Sequence, residues 1–327
     1  MHRPGLDPAV AEVRVAVRRA LRGRTGEVVV ALSGGADSLA LTAATAFEAP
    51  KHGLAVRAVV VDHGLQDASA QIADAAAAAA RGLGAAASVV RVEVEGGGGV
   101  EAAARTARYA ALLASTRESG ATAILTGHTL DDQAETVLLG LARGSGAASL
   151  QGMAPTSERD GIQVLRPLLG VRRATTRAAC AAEGLQPWED PHNEDPAFAR
   201  VRVRRTVLPT FEAELGPGVA EALARTAEQL REDADAFAEM IDETIEDIVE
   251  HAEAGISVSA AALAANPAAL RNRIIRHVVA AEFGTSLTRV QTLEVARLAT
   301  EWAGQGPVDL PGCRARREGG RIVFAAG

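Results

Sequence analysis

Six consecutive residues, Ser33-Gly34-Gly35-Ala36-Asp37-Ser38, combine the groups that bind a phosphate. Glycines let the backbone approach an anion closely, and a helix that begins directly after them points its free N–H groups and its positive dipole end at the same place. Asp37 would repel a polyphosphate unless Mg²⁺ lies between them, and Mg²⁺ is commonly held by one or two carboxylates together with phosphate oxygens. The segment therefore predicts a site for a magnesium-bound nucleotide.

A second group of reactive side chains lies in residues 126–136, Thr-Gly-His-Thr-Leu-Asp-Asp-Gln-Ala-Glu-Thr. On a helix, His128, Asp131, Asp132 and Glu135 would share one face. The carboxylates could hold Mg²⁺ on the nucleotide, or bind a cationic amine, whose charged form a nearby carboxylate favours. At an ordinary helix start, the two aspartates would only be stabilised by the dipole. We prefer a functional interpretation, because the cluster directly follows a predicted strand and would face the nucleotide.

Both segments lie where a predicted strand runs into a predicted helix. Apolar runs alternate with helical patterns, which is typical of a parallel sheet covered by helices. In such sheets ligands bind beyond the carboxyl ends of the strands, where the strand order reverses. The predicted fold is therefore α/β, with a doubly wound, mostly parallel sheet. The predicted strands are 28–32, 56–62, 88–94, 121–126 and 162–168.

The remainder of the chain has a different character. A strongly acidic helical pattern covers 219–253, further helical patterns follow over 258–303, and residues 312–324 predict a short hairpin or a tail. We expect two domains, as is usual for this length. They are a nucleotide-binding catalytic domain over 1–212 and a mainly helical second domain over 213–327 that begins with the long acidic helix.

The N-terminal segment and the cysteines bear on the compartment. Val10, Val13, Val17 and Leu21 recur at helical spacing among charged residues, which indicates an amphipathic helix rather than a signal peptide. No window approaches the ~18 apolar residues of a membrane span, so no membrane contact is expected. The two cysteines, at positions 180 and 313, have no zinc-ligand spacing and form no disulfide framework, which fits a cytoplasmic location.

The charge balance limits how the chain could bind a nucleic acid. It carries 34 basic and 41 acidic residues, a net charge of −7. Any contact with RNA must therefore use local basic patches. Arg200, Arg202, Arg204 and Arg205 form one such patch, although an exposed, solvated stretch would have the same composition.

The loop at residues 33–38 resembles the pyrophosphate-binding loop of the N-type ATP pyrophosphatases, the PP-loop superfamily, which split ATP between its α and β phosphates. A kinase-type loop is excluded, because it needs a lysine and the chain's only lysine is Lys51. The resemblance implies an adenine nucleotide alpha hydrolase-like fold, with Asp37 next to Mg²⁺. The ATP-binding residues that it implies are Ser33, Gly34, Gly35, Ala36, Asp37 and Ser38.

Further motifs make the chain similar to the tRNA(Ile)-lysidine synthetase family. The resemblance covers roughly residues 25–210 and extends more weakly to residues 270–276 and 310–312. Besides the loop, its motifs are Glu101-x-x-x-Arg105-x-x-Arg108-Tyr109, His128-x-x-Asp131-Asp132-x-x-Glu135-Thr136, Arg143-Gly144-Ser145-Gly146, Arg166-Pro167-Leu168-Leu169, and Trp188-Glu189-Asp190-Pro191-His192-Asn193 followed by Arg200 and Arg204. Two positions depart from the family's pattern, since His192 replaces a serine and Val201 an asparagine.

This resemblance implies a ligase that joins free L-lysine to C2 of the wobble cytidine of tRNA(Ile) with a CAU anticodon. ATP adenylates the C2 oxygen, and the lysine side-chain amine then displaces AMP. A homodimer is left open. The catalytic residues implied are Asp37, Arg105 (at the adenylate or the lysine carboxylate), His128, Asp132 and Glu135. Asp132 and Glu135 would also bind lysine. The resemblance further implies that Arg200, Arg204 and Arg205 contact tRNA and that the second domain, 213–327, is tRNA-binding.

Three alternative functions fit the residues less well. A tRNA thiolase is disfavoured, because such enzymes usually employ paired cysteines. An ammonia-using amide synthetase would need an ammonia source, and no glutaminase-like segment is present. A non-catalytic ATP-binding regulator has no need for carboxylates that face the phosphates.

Overall fold

The computed structural model describes residues 5–64, 68–93, 100–144, 146–252 and 255–327. The chain divides into two compact units, Met1–Arg231 and Glu232–Gly327. The domain boundary predicted at residues 212 and 213 stays a prediction. None of the helices in the described ranges is long and apolar enough to cross a membrane.

The first unit is built on a six-stranded sheet with helices on both faces. Its strands are β1 (Glu27–Ala31), β2 (Ala55–Asp62), β3 (Ala86–Arg91), β4 (Ala123–Leu125), β5 (Thr156–Arg159) and β6 (Ile162–Leu165). Its helices are α1 (Pro8–Leu21), α2 (Ala36–Glu48), α3 (Ser69–Gly82), α4 (Val100–Ser119), α5 (Leu130–Ala142), α6 (Ala147–Leu150), α7 (Arg173–Ala182), α8 (Ala199–Arg202) and α9 (Leu208–Leu215). Short 3-10 helices cover Ala49–His52 and Pro191–Glu194, and a π-helix, Val203–Val207, joins α8 to α9.

The strand order is β3-β2-β1-β4-β6-β5, and every pairing is parallel except that of β5 with β6. The chain moves outward from β1 to β3 on one side and from β4 to β6 on the other. The order therefore reverses between β1 and β4, which is where a doubly wound sheet binds its ligand. The predicted α/β fold is confirmed.

Alternate residues of β1 explain the two helical layers. Val28 and Val30 lie in a core with α1, α2, α3 and α7, whereas Val29 packs on Leu112 and Leu113 of α4. Because both faces are covered, the strand is continuously apolar. The amphipathic α1 is also confirmed, and its buried residues are Val10, Val13, Val17 and Leu21.

The second unit contains an antiparallel sheet as well as helices. The long helix α10 (Val219–Ile248) leads into strands β7 (Val249–Ala252), β8 (Gly255–Ser259), β9 (Val308–Leu310), β10 (Cys313–Glu318) and β11 (Arg321–Ala326), which pair in the order β7-β8-β11-β10-β9. Helices α11 (Ala260–Ala265), α12 (Ala268–Phe283) and α13 (Arg289–Thr300) complete the unit. The predicted C-terminal hairpin is confirmed as β10 and β11, but the other strands were not predicted.

Candidate active site

The predicted phosphate loop connects the buried strand β1 to the N-terminus of α2. Gly34 has a φ of 86°, a conformation that a side chain would strain. Ser38 Oγ lies 3.1 Å from the Ser33 backbone nitrogen and 3.0 Å from Ser33 Oγ, and it donates to the Gly35 carbonyl at 3.0 Å. These bonds fix the loop, while the first N–H groups of α2 lack intrahelical partners. The loop is therefore built to receive an anion.

Two contacts bring other segments against this loop. A Cβ at Gly127 would lie 3.0 Å from the Asp37 carbonyl carbon and from the Ser38 nitrogen. Only glycine allows the chain after β4 to pass so close to the first turn of α2. On the other side, the backbone N–H of Trp188 donates to the Gly34 carbonyl at 3.0 Å.

The loop opens into a cleft of about 1680 Å³ in the first unit. That volume exceeds the ~300–1,000 Å³ of ordinary ligand sites, so a nucleotide leaves room for a second substrate. The cleft gathers most of the predicted site residues. Its lining includes Ser33, Gly35, Ala36, Asp37, Ser38, Arg105, His128, Asp132, Arg173, Arg200, Arg204 and Arg205.

Glu135 is fully buried beneath the cleft and is saturated with hydrogen bonds. Oε1 accepts from Arg173 Nη1 at 3.1 Å and from Arg204 Nε at 2.7 Å. Oε2 accepts from Arg200 Nε at 2.8 Å and from Arg204 Nη2 at 3.1 Å. A carboxylate offers about four acceptor positions, so three guanidiniums fill them all.

Asp132 uses its two oxygens differently. Oδ2 accepts from the backbone N–H and the hydroxyl of Thr129, at 2.9 and 2.8 Å, and so closes a capping box at the start of α5. Oδ1 lies 2.9 Å from Arg173 Nη2 and 3.5 Å from the guanidiniums of Arg200 and Arg204. Burial opposes its charge, but Arg173 and Arg200 outweigh burial and lower the pKa of Asp132 below its ordinary value. The group is therefore a stable carboxylate.

The predicted four-residue face is only partly formed. Helix α5 begins at Leu130, so His128 precedes it. Asp131 turns away, because its Oδ2 accepts the backbone N–H of Arg173 at 2.7 Å and thereby caps α7. A carboxylate at a helix N-terminus is stabilised by the dipole, which gives Asp131 a structural role. The cluster at the cleft is reduced to His128, Asp132 and Glu135.

His128 is held by Thr126, whose Oγ1 lies 2.9 Å from Nδ1. Burial is the main cause that lowers the pKa of His128 to about 4, with a contribution from nearby arginines. The imidazole is therefore neutral at physiological pH. It can form hydrogen bonds with a bound group but does not repel a cation.

Asp37 lies at the start of α2 and is held from α7. Thr176 Oγ1 donates to Asp37 Oδ1, and Arg173 Nε lies 3.5 Å from Asp37 Oδ2. Burial raises the pKa of Asp37 above its ordinary value, although Thr176 and Arg173 act in the opposite direction. Among the described residues no group of three or more His, Cys, Asp or Glu could hold a metal. One carboxylate beside a phosphate loop does suit Mg²⁺, which is usually shared between protein and phosphate oxygens.

The remaining predicted arginines lie at the edge of the cleft. Arg105 is exposed, and its guanidinium lies 5.3 Å from the Tyr109 ring centroid. Arg205 forms an exposed ion pair of 3.3 Å with Glu194. Ser145 and the side chains of Glu101, His192 and Asn193 lie outside the described residues. The roles predicted for individual site residues stay predictions.

Sequence reasoning missed Arg173 and Thr176 of α7. Both contact Asp37 in the first turn of α2, and Arg173 also contacts the acids of α5. One signal was present. Arg173 is the first residue of α7, where a positive charge is unfavourable beside the positive end of the helix dipole. A basic residue in that position is expected to have an anionic partner.

Comparison with known proteins identifies relatives along the whole chain. The PP-loop domain model matches residues 12–211, and the TilS substrate binding domain model matches residues 259–323. The chain is 59% identical over 299 residues to a tRNA(Ile)-lysidine synthase of Leifsonia xyli, covering 91% of this chain and 89% of the relative. It is 50% identical over 328 residues to that of Thermobifida fusca, covering 98% and 99%.

A solved structure supports the fold independently. The U34-tRNA thiolase of Methanococcus maripaludis aligns with a TM-score of 0.58 at 19% identity, covering 68% of this chain and 80% of that chain. At this identity the likeness concerns the fold alone.

Proposed function

The chain belongs to the tRNA(Ile)-lysidine synthase family of carbon–nitrogen ligases, and we propose that it joins free L-lysine to C2 of the wobble cytidine of a tRNA(Ile) with a CAU anticodon. The observation that supports this proposal is that one cleft has a carboxylate beside a phosphate loop and, separately, a pair of carboxylates on another helix. Asp37 lies at a phosphate loop, Asp132 lines the same cleft, and Glu135 is buried beneath it; Arg173 contacts all three carboxylates. Such an arrangement suits a nucleotide on one side and a cationic amine on the other.

In the first step the C2 oxygen of cytidine attacks the α-phosphorus of ATP. An oxygen–phosphorus bond forms, the bond to the β-phosphate oxygen breaks, and pyrophosphate leaves. The N–H groups of the loop and the hydroxyls of Ser33 and Ser38 receive the charge that develops on the leaving group. Asp37 would hold Mg²⁺, which supplies positive charge against the phosphates.

In the second step the lysine Nζ attacks C2, a carbon–nitrogen bond forms, and AMP leaves with the former C2 oxygen. The lysine side chain arrives as an ammonium and must first give up a proton to become the attacking amine. The lowered pKa values of Asp132 and His128 keep the first an unprotonated carboxylate and the second a neutral imidazole, so both are suited to orient the amine by accepting hydrogen bonds, while the proton leaves to solvent water. The protein's main contribution is thus positioning.

Charge balance limits how lysine enters this site. The carboxylates of Asp37, Asp132 and Glu135 face three guanidiniums, those of Arg173, Arg200 and Arg204. An added ammonium would therefore compete with a guanidinium for these carboxylates. Arg200 and Arg204 are the more exposed, with side chains 33% and 26% accessible against 17% for Arg173. A tRNA phosphate would offer them another anion, which agrees with their predicted contact with RNA.

The second unit offers its own basic surface to tRNA. On α12, Arg273 and Arg276 are one turn apart, and the helix has a single acid, Glu282. Burial, together with the like charges of Arg273 and Arg289, lowers the pKa of Arg276. None of these three arginines has an ion pair with any residue that the structure describes. An uncompensated basic group is what an RNA backbone neutralises.

A thiolase chemistry receives no support from the cysteines. Cys180 lines the cleft, but burial raises the pKa of its thiol to about 11. A thiol that stays protonated is a poor nucleophile. The other cysteine, Cys313, is buried in the second unit.

The decisive experiment incubates the purified full chain with ATP, Mg²⁺, radiolabelled lysine and individual tRNAs. We expect label only in the tRNA(Ile) with a CAU anticodon, with one AMP and one pyrophosphate released for each lysine attached. The matched control is an isoleucine tRNA with guanosine at the wobble position. Pyrophosphate release that ignores lysine would indicate an amide synthetase or thiolase instead, and no release at all would indicate a regulator.

A further inference from the structure

Arg173 contacts three carboxylates through three different nitrogens. Nη2 lies 2.9 Å from Asp132 Oδ1, Nη1 lies 3.1 Å from Glu135 Oε1, and Nε lies 3.5 Å from Asp37 Oδ2. Two of these partners belong to α5 and the third to α2, so one guanidinium links the two helices. Its fork is planar and rigid, and a lysine ammonium could not reproduce these directions.

The helix that carries Arg173 is itself fixed to the same two elements. The Arg173 backbone N–H donates to Asp131 of α5 at 2.7 Å. One turn later, the Thr176 hydroxyl bonds both to Asp37 of α2 and to the Arg173 carbonyl, the latter at 2.8 Å. The backbone of Arg173 is thus fixed to α5 and α7 is fixed to α2, while the guanidinium itself is held by its three carboxylate partners.

Asp37 depends on Arg173 more than the other two carboxylates do. Glu135 and Asp132 also contact Arg200 and Arg204. Among the ion pairs of the described residues, Arg173 is the one cationic partner of Asp37. Arg173 is therefore the guanidinium that joins Asp37 to Asp132 and Glu135 among the described ion pairs, whether or not Arg200 and Arg204 stay in place.

We propose that Arg173 is a positioning residue, which holds Asp37 at a fixed distance from the Asp132–Glu135 pair and so aligns the adenylated base with the lysine amine. This rests on the proposed function, which places the nucleotide at Asp37 and lysine at the pair. Arg173 acts through these carboxylates and not on the reacting atoms. Misplacement of reacting groups by about 1 Å can reduce a rate on the order of 100-fold.

The test compares Arg173→Lys and Arg173→Gln with Arg172→Gln as a matched control. Arg172 is the preceding residue and is half-exposed, and its partners are Asp131, Glu212 and Glu221, at 3.6, 4.0 and 3.5 Å. Single-turnover measurements separate adenylate formation without lysine from transfer once lysine is added. Melting temperatures are recorded for every variant, so that unfolding is not mistaken for loss of alignment.

We expect Arg173→Lys to remain folded and to lose on the order of 100-fold in the transfer rate at saturating lysine, with Arg173→Gln losing more. Added guanidinium ion should partly restore transfer in an Arg173→Ala variant, which a purely structural role would not predict. Arg172→Gln should transfer within about threefold of the original chain, the range of a surface change.

A folded Arg173→Lys or Arg173→Gln variant that transfers at the original rate would overturn the proposal. A loss that raised only the KM for lysine, with transfer normal at saturation, would also overturn it, because it would make Arg173 part of lysine binding alone. If the original chain attached no lysine, the proposed function itself would fail, and that outcome is seen before any variant is made.

Discussion

Gly127→Ala tests whether the chain after β4 and the phosphate loop are in direct contact. The new Cβ would lie 3.0 Å from two backbone atoms of Asp37 and Ser38 and 3.1 Å from the Asp37 carbonyl oxygen. Real Cβ contacts of this kind are longer, so the first turn of α2 must shift. Inserting a methyl group into such a packed position costs about 1–3 kcal/mol.

If that energy appears in nucleotide binding, ATP affinity should fall by roughly 5- to 140-fold, since 1.4 kcal/mol corresponds to a factor of ten. Gly170→Ala is the matched control, because its Cβ would have no atom within 4 Å and the residue has no positive φ. Isothermal titration with Mg-ATP measures the effect, and thermal melting shows whether each variant is folded. A folded Gly127→Ala protein that binds ATP as well as the Gly170→Ala protein would refute the loop assignment.

Four further changes test individual residues of the site. Asp37→Ala should remove pyrophosphate release while circular dichroism stays unchanged, and normal turnover would contradict its role at Mg²⁺. Asp132→Asn should raise the KM for lysine more than the KM for ATP; the reverse order in steady-state kinetics would reassign it. Replacing Arg200 and Arg204 together by Gln should weaken tRNA binding. The slope of log affinity against log salt concentration should become shallower by roughly 0.7–0.9 for each phosphate that is no longer neutralised. An unchanged slope in filter binding would leave the two arginines as ion-pair partners only. The pKa of His128 is about 4 in the folded chain against an ordinary 6.5, so the unfolded chain binds the proton first as pH falls. The stability that the neutral imidazole contributes is complete above pH 6.5 and is lost toward pH 4 by up to about 3 kcal/mol. A His128→Asn variant whose melting temperature had the same pH dependence would contradict this expectation.

The parallel sheet was predictable because its strands are short apolar runs. Both faces of β1 are buried, so Val28, Val29 and Val30 need no alternation to be recognised. The edge strand β5, Thr-Ser-Glu-Arg, is polar and exposed, and only its pairing with β6 makes it a strand. Sequence reasoning had no local signal for it.

The long acidic helix shows a different limit. Its helical pattern continues to residue 253, but the chain leaves the helix after Ile248 because Val249–Ala252 pairs with β8. Partners close by in space override a weak local propensity. The same limit applies to the strands β8 and β9, which are completed by β11 and β10.

The acidic residues of the candidate site were predicted from the sequence, but the contacts that they make were predicted only in part. Residue types and spacing grouped Asp132 with Glu135, and in the structure both carboxylates contact Arg173, Arg200 and Arg204; their roles stay predictions. Asp131 was grouped with them because helical spacing cannot tell that an aspartate caps a neighbouring helix. Arg173 was missed because its partners come from elements more than 35 residues away along the chain.

Trp188 is an intrinsic fluorescent probe beside the phosphate loop. Its backbone is bonded to the Gly34 carbonyl, and its Cβ lies 3.9 Å from where a Cβ on Gly34 would be. The backbone that carries this indole is thus hydrogen-bonded to the loop that should meet the triphosphate. The chain has two tryptophans, and the other, Trp302, belongs to the second unit. Replacing Trp302 by Phe would leave a single fluorophore, whose emission could follow nucleotide arrival in a stopped-flow instrument without any attached dye.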